Sequence, residues 1–324
     1  MRFWLLGFAV LLATQFAASA AASLFVTCAH RAARSGLAAL APGPRARWLL
    51  ALALIPSATG LVAAGLAALA WLVFEPRSTG ETPGPVLLAL ALLGLAVVAL
   101  RAASATLEGV RTRRVIARFR RSGREMDCLP LPAWRAVHSF PVAALAGVWR
   151  PRMLLAEQVI GALEPAELDA VVAHELAHLD ARDNLKRLLL AASPDPLALT
   201  RGGGRLRAEY LEAAEAAADA RACGRVSATV LARAILKVAR LVPAGGRLDV
   251  AVASFHHEGS LAVRVHALVA SQRARETAST RGLLPRGPLV GVAVGVVVAG
   301  ALAGSLELLA ALHGALERLV HLLA

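Results

Sequence analysis

Four long apolar stretches constrain the fold of this chain more than any other feature of its sequence. An α-helix needs about 20 residues to cross a bilayer, and these stretches are candidates for such spans. They are Phe3–Val26, Trp48–Phe74, Val86–Leu100 (extendable to Leu107 if Arg101 reaches the interface) and Leu289–Leu312. A mean hydropathy of +0.61 agrees with them and excludes a disordered chain. We predict a mainly α, multi-span helical membrane protein in the lipid bilayer. For Phe3–Val26, a cleavable signal peptide is the alternative.

Arginines predict the orientation of these spans. The first loop carries four arginines and no acid, whereas the second has a net charge of −1. Seven more arginines lie between residues 111 and 124, after the third span. By the positive-inside rule, the first loop and the region after the third span face the cytoplasm. The net charge of +13 is then a topology signal, and we expect no nucleic-acid partner, because the basic run lacks a recognition motif.

The chain between the third and fourth spans is long enough for a domain with its own core. We expect three parts: residues 1–107 with three spans, a cytoplasmic domain at 108–288, and the fourth span with a short tail at 289–324. Short β-like runs open the domain, and helical periodicity follows, with breaks at 193–196 and 202–204. The predicted strands are Trp134–Ser139, Val142–Val148 and Arg152–Leu155, and the predicted helices are Pro165–Ala181, Arg205–Ala222, Ala228–Leu241 and Ser260–Arg275.

The first predicted helix of this domain contains an HExxH motif, His174-Glu175-Leu176-Ala177-His178. Chance would give about 0.01 occurrences in a chain of this composition. Residues four apart lie one turn apart on one helix face, so both imidazoles can bind one Zn²⁺. Glu175 lies beside them, where it can act as the general base on a water molecule. Two ordinary buried histidines are the alternative, which the intervening glutamate disfavours.

A catalytic zinc ion needs a third protein ligand. The best candidate is Glu215, because Asp219 follows it by four residues on the same helix face and can hydrogen-bond a zinc-bound imidazole. Glu209 and Glu212 share the helix but have no carboxylate four residues downstream. The alternative is that all three glutamates are solvated.

Six segments together make the chain resemble membrane zinc metallopeptidases of the BlaR/MecR antirepressor type. The segments are Phe140–Gly147, Arg150–Leu155, Leu163–Leu168, Ala173–Asp183, Ala214–Asp219 and Val263–Leu268. The resemblance implies a zincin-like α+β metallopeptidase domain inserted between spans three and four. It also implies that His174, His178 and Glu215 ligate zinc and that Glu175 is the base. The chain around Arg150-Pro151 would be the edge strand that receives an extended substrate.

Two further residues match positions of that family. Asp183 is expected to cap or orient a helix end, and Arg264 is either structural or directed at an oxyanion. One departure concerns the C-terminus, where only about a dozen residues follow Leu312. The penicillin-binding sensor domain of the antibiotic sensors is therefore expected to be absent.

The function that the sequence favours is a zinc-dependent endopeptidase of the cell membrane. Its substrate would be a cytoplasmic or membrane-proximal protein, such as a transcriptional repressor, in regulatory signalling. A second interpretation is a quality-control or processing protease of the HtpX or CAAX-protease type, which shares the HExxH motif and the later Glu-x-x-x-Asp. A third is a transducer with a structural zinc site, which the glutamate of the HExxH motif disfavours.

Overall fold

The structure is a computed structural model that describes residues 2–76, 83–126, 130–242, 262–270, 310, 311, 313–315 and 318. The chain forms two compact units. One consists of Met1–Ala103, Leu190–Tyr210 and Leu284–Ala324, and the other of Ser104–Leu189 and Leu211–Leu283. The predicted division at residues 107 and 288 stays a prediction.

Three long helices open the chain: α1 (Arg2–Ala38), α2 (Pro42–Phe74) and α3 (Pro85–Ser122). Each contains an apolar window long enough to cross a membrane. The first three predicted spans lie within them, and α3 continues without a break through six of the seven arginines of the segment 111–124. The fourth predicted span, Leu289–Leu312, lies outside the described residues apart from 310 and 311.

Close backbone contact brings α1 and α2 together. A Cβ added at Gly60 would lie 2.8 Å from the carbonyl oxygen of Gln15, so the two backbones approach as only a glycine allows. Small residues at helix crossings are the usual basis of such packing within a bilayer, where apolar burial contributes little to association. Within the first unit, α1 and α2 therefore form a close-packed pair of apolar helices.

Arg101, on which the extension of the third span to Leu107 depends, is buried and bonds to backbone carbonyls. Its Nε donates to the carbonyl of Ser193 at 3.0 Å, and its Nη2 donates to the carbonyl of Leu190. Nearby, the Ser57 hydroxyl donates to Oδ2 of Asp195 at 2.6 Å. The two bonds from Arg101 pair with backbone carbonyls at and just after the end of a later helix, where carbonyls lack intrahelical partners. Polar side chains of the apolar helices thus hold the segment that follows residue 190.

A small four-stranded sheet opens the second unit. Its strands are β1 (Arg124–Met126), β2 (Ala133–Ala136), β3 (Ala143–Ala146) and β4 (Arg152–Ala156). The order is β1-β2-β4-β3, with β2 and β4 parallel and the other two pairs antiparallel. All three predicted strands are present, and the first two are shorter than predicted. Strand β1 was not predicted, because its polar Arg-Glu-Met sequence has no apolar alternation.

Five helices follow the sheet within the described residues up to 242. They are α4 (Glu157–Ala162), α5 (Pro165–Ala181), α6 (Asp183–Ala192), α7 (Arg201–Ala222) and α8 (Ala228–Arg240), with a 3-10 turn at Pro196–Leu199. Helix α5 has the predicted bounds, and α8 ends one residue before the predicted end. Residues 262–270 are also helical, inside the predicted segment Ser260–Arg275. The sheet, α5 and α8 bury one continuous apolar core.

The predicted break at residues 202–204 is wrong, because Gly202, Gly203 and Gly204 form the first turn of α7. A Cβ at Gly203 would overlap the carbonyl oxygen of Leu197. Glycine at position 203 allows the first turn of the helix to pass close to the preceding 3-10 turn. It does not end regular structure. Helix α7 therefore begins four residues before the predicted start at Arg205.

Candidate functional site

The two histidines of the HExxH motif meet as the helical spacing predicts. Pro165 occupies the first turn of α5, where its missing N–H costs nothing, and the Glu167 carboxylate accepts from the backbone N–H of Glu164. The helix continues from there through the motif. His174 and His178 lie one turn apart and are buried, and their Nε2 atoms are 3.2 Å apart.

Helix α7 brings Glu215 to the same point. Its Oε2 lies 3.5 Å from Nε2 of His174, and its Oε1 lies 3.5 Å from Nε2 of His178. Bonds of about 2.0 Å at tetrahedral angles place two zinc ligands roughly 3.3 Å apart. The three residues also form the metal-compatible cluster found among the described residues. The separations therefore fit a Zn²⁺ ion held by two imidazoles and one carboxylate.

The other ring nitrogen of each histidine faces a carboxylate. Nδ1 of His174 lies 3.0 Å from Oδ1 of Asp219, and Nδ1 of His178 lies 2.7 Å from Oδ2 of Asp183. A carboxylate accepts hydrogen bonds, so each Nδ1 donates to its carboxylate and each Nε2 faces into the cluster. This arrangement favours a cation at the centre. Asp219 lies beside the His174 ring, the position that the spacing predicts. Asp183 contacts the His178 ring in addition to beginning α6.

The chain reaches Asp183 through a sharp turn at Arg182. This residue ends α5 in the left-handed region, with φ 54°, and its N–H bonds the carbonyls of His178 and Leu179. The turn brings the next carboxylate back beside the preceding helical turn. Sequence reasoning missed this contact, because a left-handed non-glycine residue has no clear signal in a single sequence.

Two arginines neutralise the carboxylates of α7. Arg264 donates to both oxygens of Asp219 at 2.8 Å, and its Nη1 lies 3.4 Å from Oε2 of Glu215. Arg187 on α6 donates to Oε1 of Glu215 at 3.0 Å. Of the two roles left open for Arg264, these contacts match the structural one. Arg187 was not predicted, since its link to Glu215 joins residues 28 positions apart.

The ionisation of the cluster follows from these neighbours. Burial alone would raise the pKa of Glu215, but the two histidines and Arg264 hold that pKa well below its usual range. Burial disfavours the charged ring of His178, yet the carboxylates of Glu215 and Asp183 outweigh it and raise the pKa of His178 to about 10. The carboxylates therefore attract positive charge strongly at this point, as a cation site requires.

Glu175 has the surroundings of a general base. Its Oε2 accepts from the backbone N–H of Leu145 on β3 at 2.8 Å. Its Oε1 is buried and has no hydrogen-bond partner among the described residues. Burial raises the pKa of the Glu175 carboxyl above its usual value. A carboxylate held at one oxygen and unpaired at the other can accept a proton from a water molecule.

The expectation of an edge strand on both sides of Arg150-Pro151 is half wrong. Strand β3, before these residues, forms an edge of the sheet. Strand β4, after them, lies between β2 and β3 and uses its backbone groups on both sides. Of these two strands, only β3 therefore lies at an edge of the sheet.

The remaining candidates lie elsewhere. Glu209 pairs with His30 at 2.9 Å and Arg34 at 3.5 Å in the first unit. Glu212 is exposed, so its lower rank as a ligand agrees with its position.

Comparison with known proteins supports the chemistry of this site. Residues 111–235 match the family described as "Peptidase family M48", and this segment includes the HExxH helix and Glu215. No curated protein matches the chain. The match and the cluster support a hydrolase of the metalloprotease class, and the three apolar helices support association with a membrane. The match covers less than half of the chain and does not test the likeness to the BlaR/MecR type.

Proposed function

We propose that this protein is an integral-membrane, zinc-dependent endopeptidase. The observation that carries the proposal is the buried cluster of His174, His178 and Glu215, with Glu175 beside it. The cluster offers two imidazoles and one carboxylate, which is a common ligand set of catalytic zinc. A structural zinc site has no use for a buried carboxylate with an unpaired oxygen next to the ligands.

The residues around the cluster have different roles in the proposed hydrolysis. Bound zinc would polarise the scissile carbonyl and lower the pKa of a water molecule. Glu175 accepts a proton from the attacking water on Oε1 and passes it to the departing amine. Asp219 and Asp183 keep the two Nδ1 protons in place, so that His174 and His178 present Nε2 as ligand atoms.

The substrate is proposed to be a cytoplasmic or membrane-proximal protein that acts in regulation. The positive-inside pattern supports a peptidase domain in the cytoplasm. The likeness to the BlaR/MecR type supports a repressor as the substrate. A quality-control or processing protease has the same zinc residues, and it would differ by acting on damaged or newly made membrane proteins. A non-proteolytic transducer is the other alternative.

A trapping experiment separates these functions. Full-length Glu175→Gln protein is produced in cells that lack the wild type, and bound proteins are identified by mass spectrometry. We expect one protein to be enriched by this variant and cleaved by the wild type. Glu212→Gln, an exposed change on the same helix as Glu215, is the matched control and should cleave normally. A downstream response that survives Glu175→Gln, with no cleaved protein detectable, favours the transducer.

A further inference from the structure

The segment that follows the HExxH helix holds two parts of the site at once. Asp183 contacts His178, as described above. The next residue, Asn184, donates through Nδ2 to the carbonyl of Leu145 at 3.0 Å and to the carbonyl of Gly147 at 2.8 Å. The amide nitrogen has two hydrogens, so these two bonds use its full donor capacity. Two consecutive residues therefore join a predicted zinc ligand to the edge strand.

The bonded carbonyls lie on the outer side of β3. The N–H of Ala156 on β4 donates to the carbonyl of Val142 at 2.7 Å, so Val142 and every second residue after it face β4. Leu145 and Gly147 consequently direct their backbone groups away from β4. On this outer side, the N–H of Leu145 binds Glu175 and its carbonyl binds Asn184. Both backbone groups of Leu145 are therefore hydrogen-bonded, one to Glu175 of the HExxH motif and the other to Asn184 on α6.

The turn that ends β3 also restricts the backbone conformation of this strand end. Gly147 has φ +95°, which residues with a side chain rarely adopt, and a Cβ there would lie 3.0 Å from the carbonyl oxygen of Arg150. The turn can form because residue 147 is a glycine, and Asn184 then fixes the carbonyl of that glycine. Glu175 on α5 therefore contacts Leu145, and Leu145 contacts Asn184. Asn184 is joined to the end of α5 through the turn at Arg182.

We propose that Asn184 is a positioning residue, which clamps the carbonyls of Leu145 and Gly147 and thereby holds the Leu145 N–H against Glu175. One oxygen of the catalytic carboxylate is then fixed by the strand, and the other stays free for the proton of the attacking water. The same clamp closes this end of β3 to a substrate backbone, because the carbonyls that a substrate would pair with are occupied. The proposal rests on the proposed peptidase function.

Two variants of the full-length, zinc-loaded protein test the clamp. Asn184→Asp keeps the shape but removes both donors, and Asn184→Ala removes the whole amide. Asp180→Ala, an exposed change near the end of α5, is the matched control. We expect hydrogen exchange at the Leu145 amide to accelerate about tenfold in both Asn184 variants and to stay unchanged in the control, as the loss of two hydrogen bonds implies. Zinc should remain at one ion per chain.

Hydrolysis of fluorescein-labelled casein supplies the second readout. Loss of positioning should lower kcat about tenfold and leave KM within twofold, whereas a general loss of folded protein would lower zinc content in parallel. Unchanged exchange at Leu145, or unchanged kcat, in a folded Asn184→Asp variant overturns the proposal. Wild-type protein that binds no zinc contradicts the proposed function instead, and the exchange experiment on that protein still decides whether Asn184 clamps β3.

Discussion

Arg264 donates two hydrogen bonds of 2.8 Å to the carboxylate of Asp219, one from Nε and one from Nη2. Both side chains are buried, and Asp219 in turn faces Nδ1 of His174. An unpaired charge is costly when it is buried, and Arg264 compensates the negative charge of Asp219. Without Arg264, the predicted zinc site would carry one more uncompensated negative charge.

Replacing Arg264 with leucine should destabilise the metal-free protein by about 3–5 kcal/mol, because the buried carboxylate of Asp219 loses its arginine partner and that of Glu215 loses one of two. Added zinc should recover part of this loss, since a cation at the cluster replaces the missing charge. The zinc-induced rise in melting temperature is therefore expected to be larger for Arg264→Leu than for the wild type. Arg233→Leu, an exposed change on α8, is the control. Equal rises would contradict the electrostatic role of Arg264.

Zinc content tests the proposed ligand set. Purified wild type should contain one zinc ion per chain, and His174→Ala, His178→Ala and Glu215→Ala should each lose most of it, because three protein ligands hold the ion. Glu212→Ala should retain its zinc, since that side chain is exposed on the same helix. Elemental analysis measures the ratio. If Glu215→Ala keeps its zinc and Glu212→Ala loses it, the assigned third ligand is wrong.

Glu175→Gln should preserve zinc content and folding while lowering kcat at least ~100-fold. The glutamine side chain still accepts a hydrogen bond from the Leu145 N–H but cannot take a proton from water at neutral pH. Casein hydrolysis and elemental analysis on the same preparation check both halves of this expectation. A variant that loses zinc together with activity would indicate a structural role for Glu175.

The first turn of α5 gives a pH-dependent prediction. A hydrogen bond from Lys237 at 2.7 Å, with a second from the Glu164 N–H, lowers the pKa of Glu167 below its ordinary value of 4.5. A lowered folded-state pKa stabilises the protein above the unfolded-state pKa, and this stabilisation is lost as the pH falls through the folded-state value. Glu167→Gln should therefore lower the melting temperature at pH 7.

The same difference should shrink as the pH falls below about 4.5, the ordinary pKa of this carboxyl. Thermal unfolding of the two proteins at a series of pH values measures it. Glu157→Gln, which replaces an exposed carboxylate on α4, is the control and should show little change at any pH. A difference that is independent of pH would mean that Glu167 stabilises the helix by packing alone.

Membrane orientation can be tested with reporter fusions. A cytoplasm-active reporter fused after Gly224, in the exposed turn between α7 and α8, should be active, and one fused after Gly80 in the second loop should be silent. A periplasm-active reporter should give the opposite result at each point. Reversed signals would overturn the proposal of a cytoplasmic substrate.

Sequence reasoning succeeded where the determining interactions are local. The spacing of His174 and His178 places both on one face of α5, and the spacing of Glu215 and Asp219 does the same on α7, because helical periodicity is a property of the backbone. The three apolar helices follow from run length in the same way. These features need no knowledge of which elements pack together.

Tertiary structure alone decided how these faces are combined. The contact of Asp183 with His178 depends on the left-handed turn at Arg182, and the bond from Asn184 to Leu145 joins residues 39 positions apart. The place of β4 inside the sheet, and the burial of Arg101 against backbone carbonyls, depend on which neighbours fill each side. Such pairings are selected by the packing of the whole chain, because many alternative partners satisfy the same local pattern equally well.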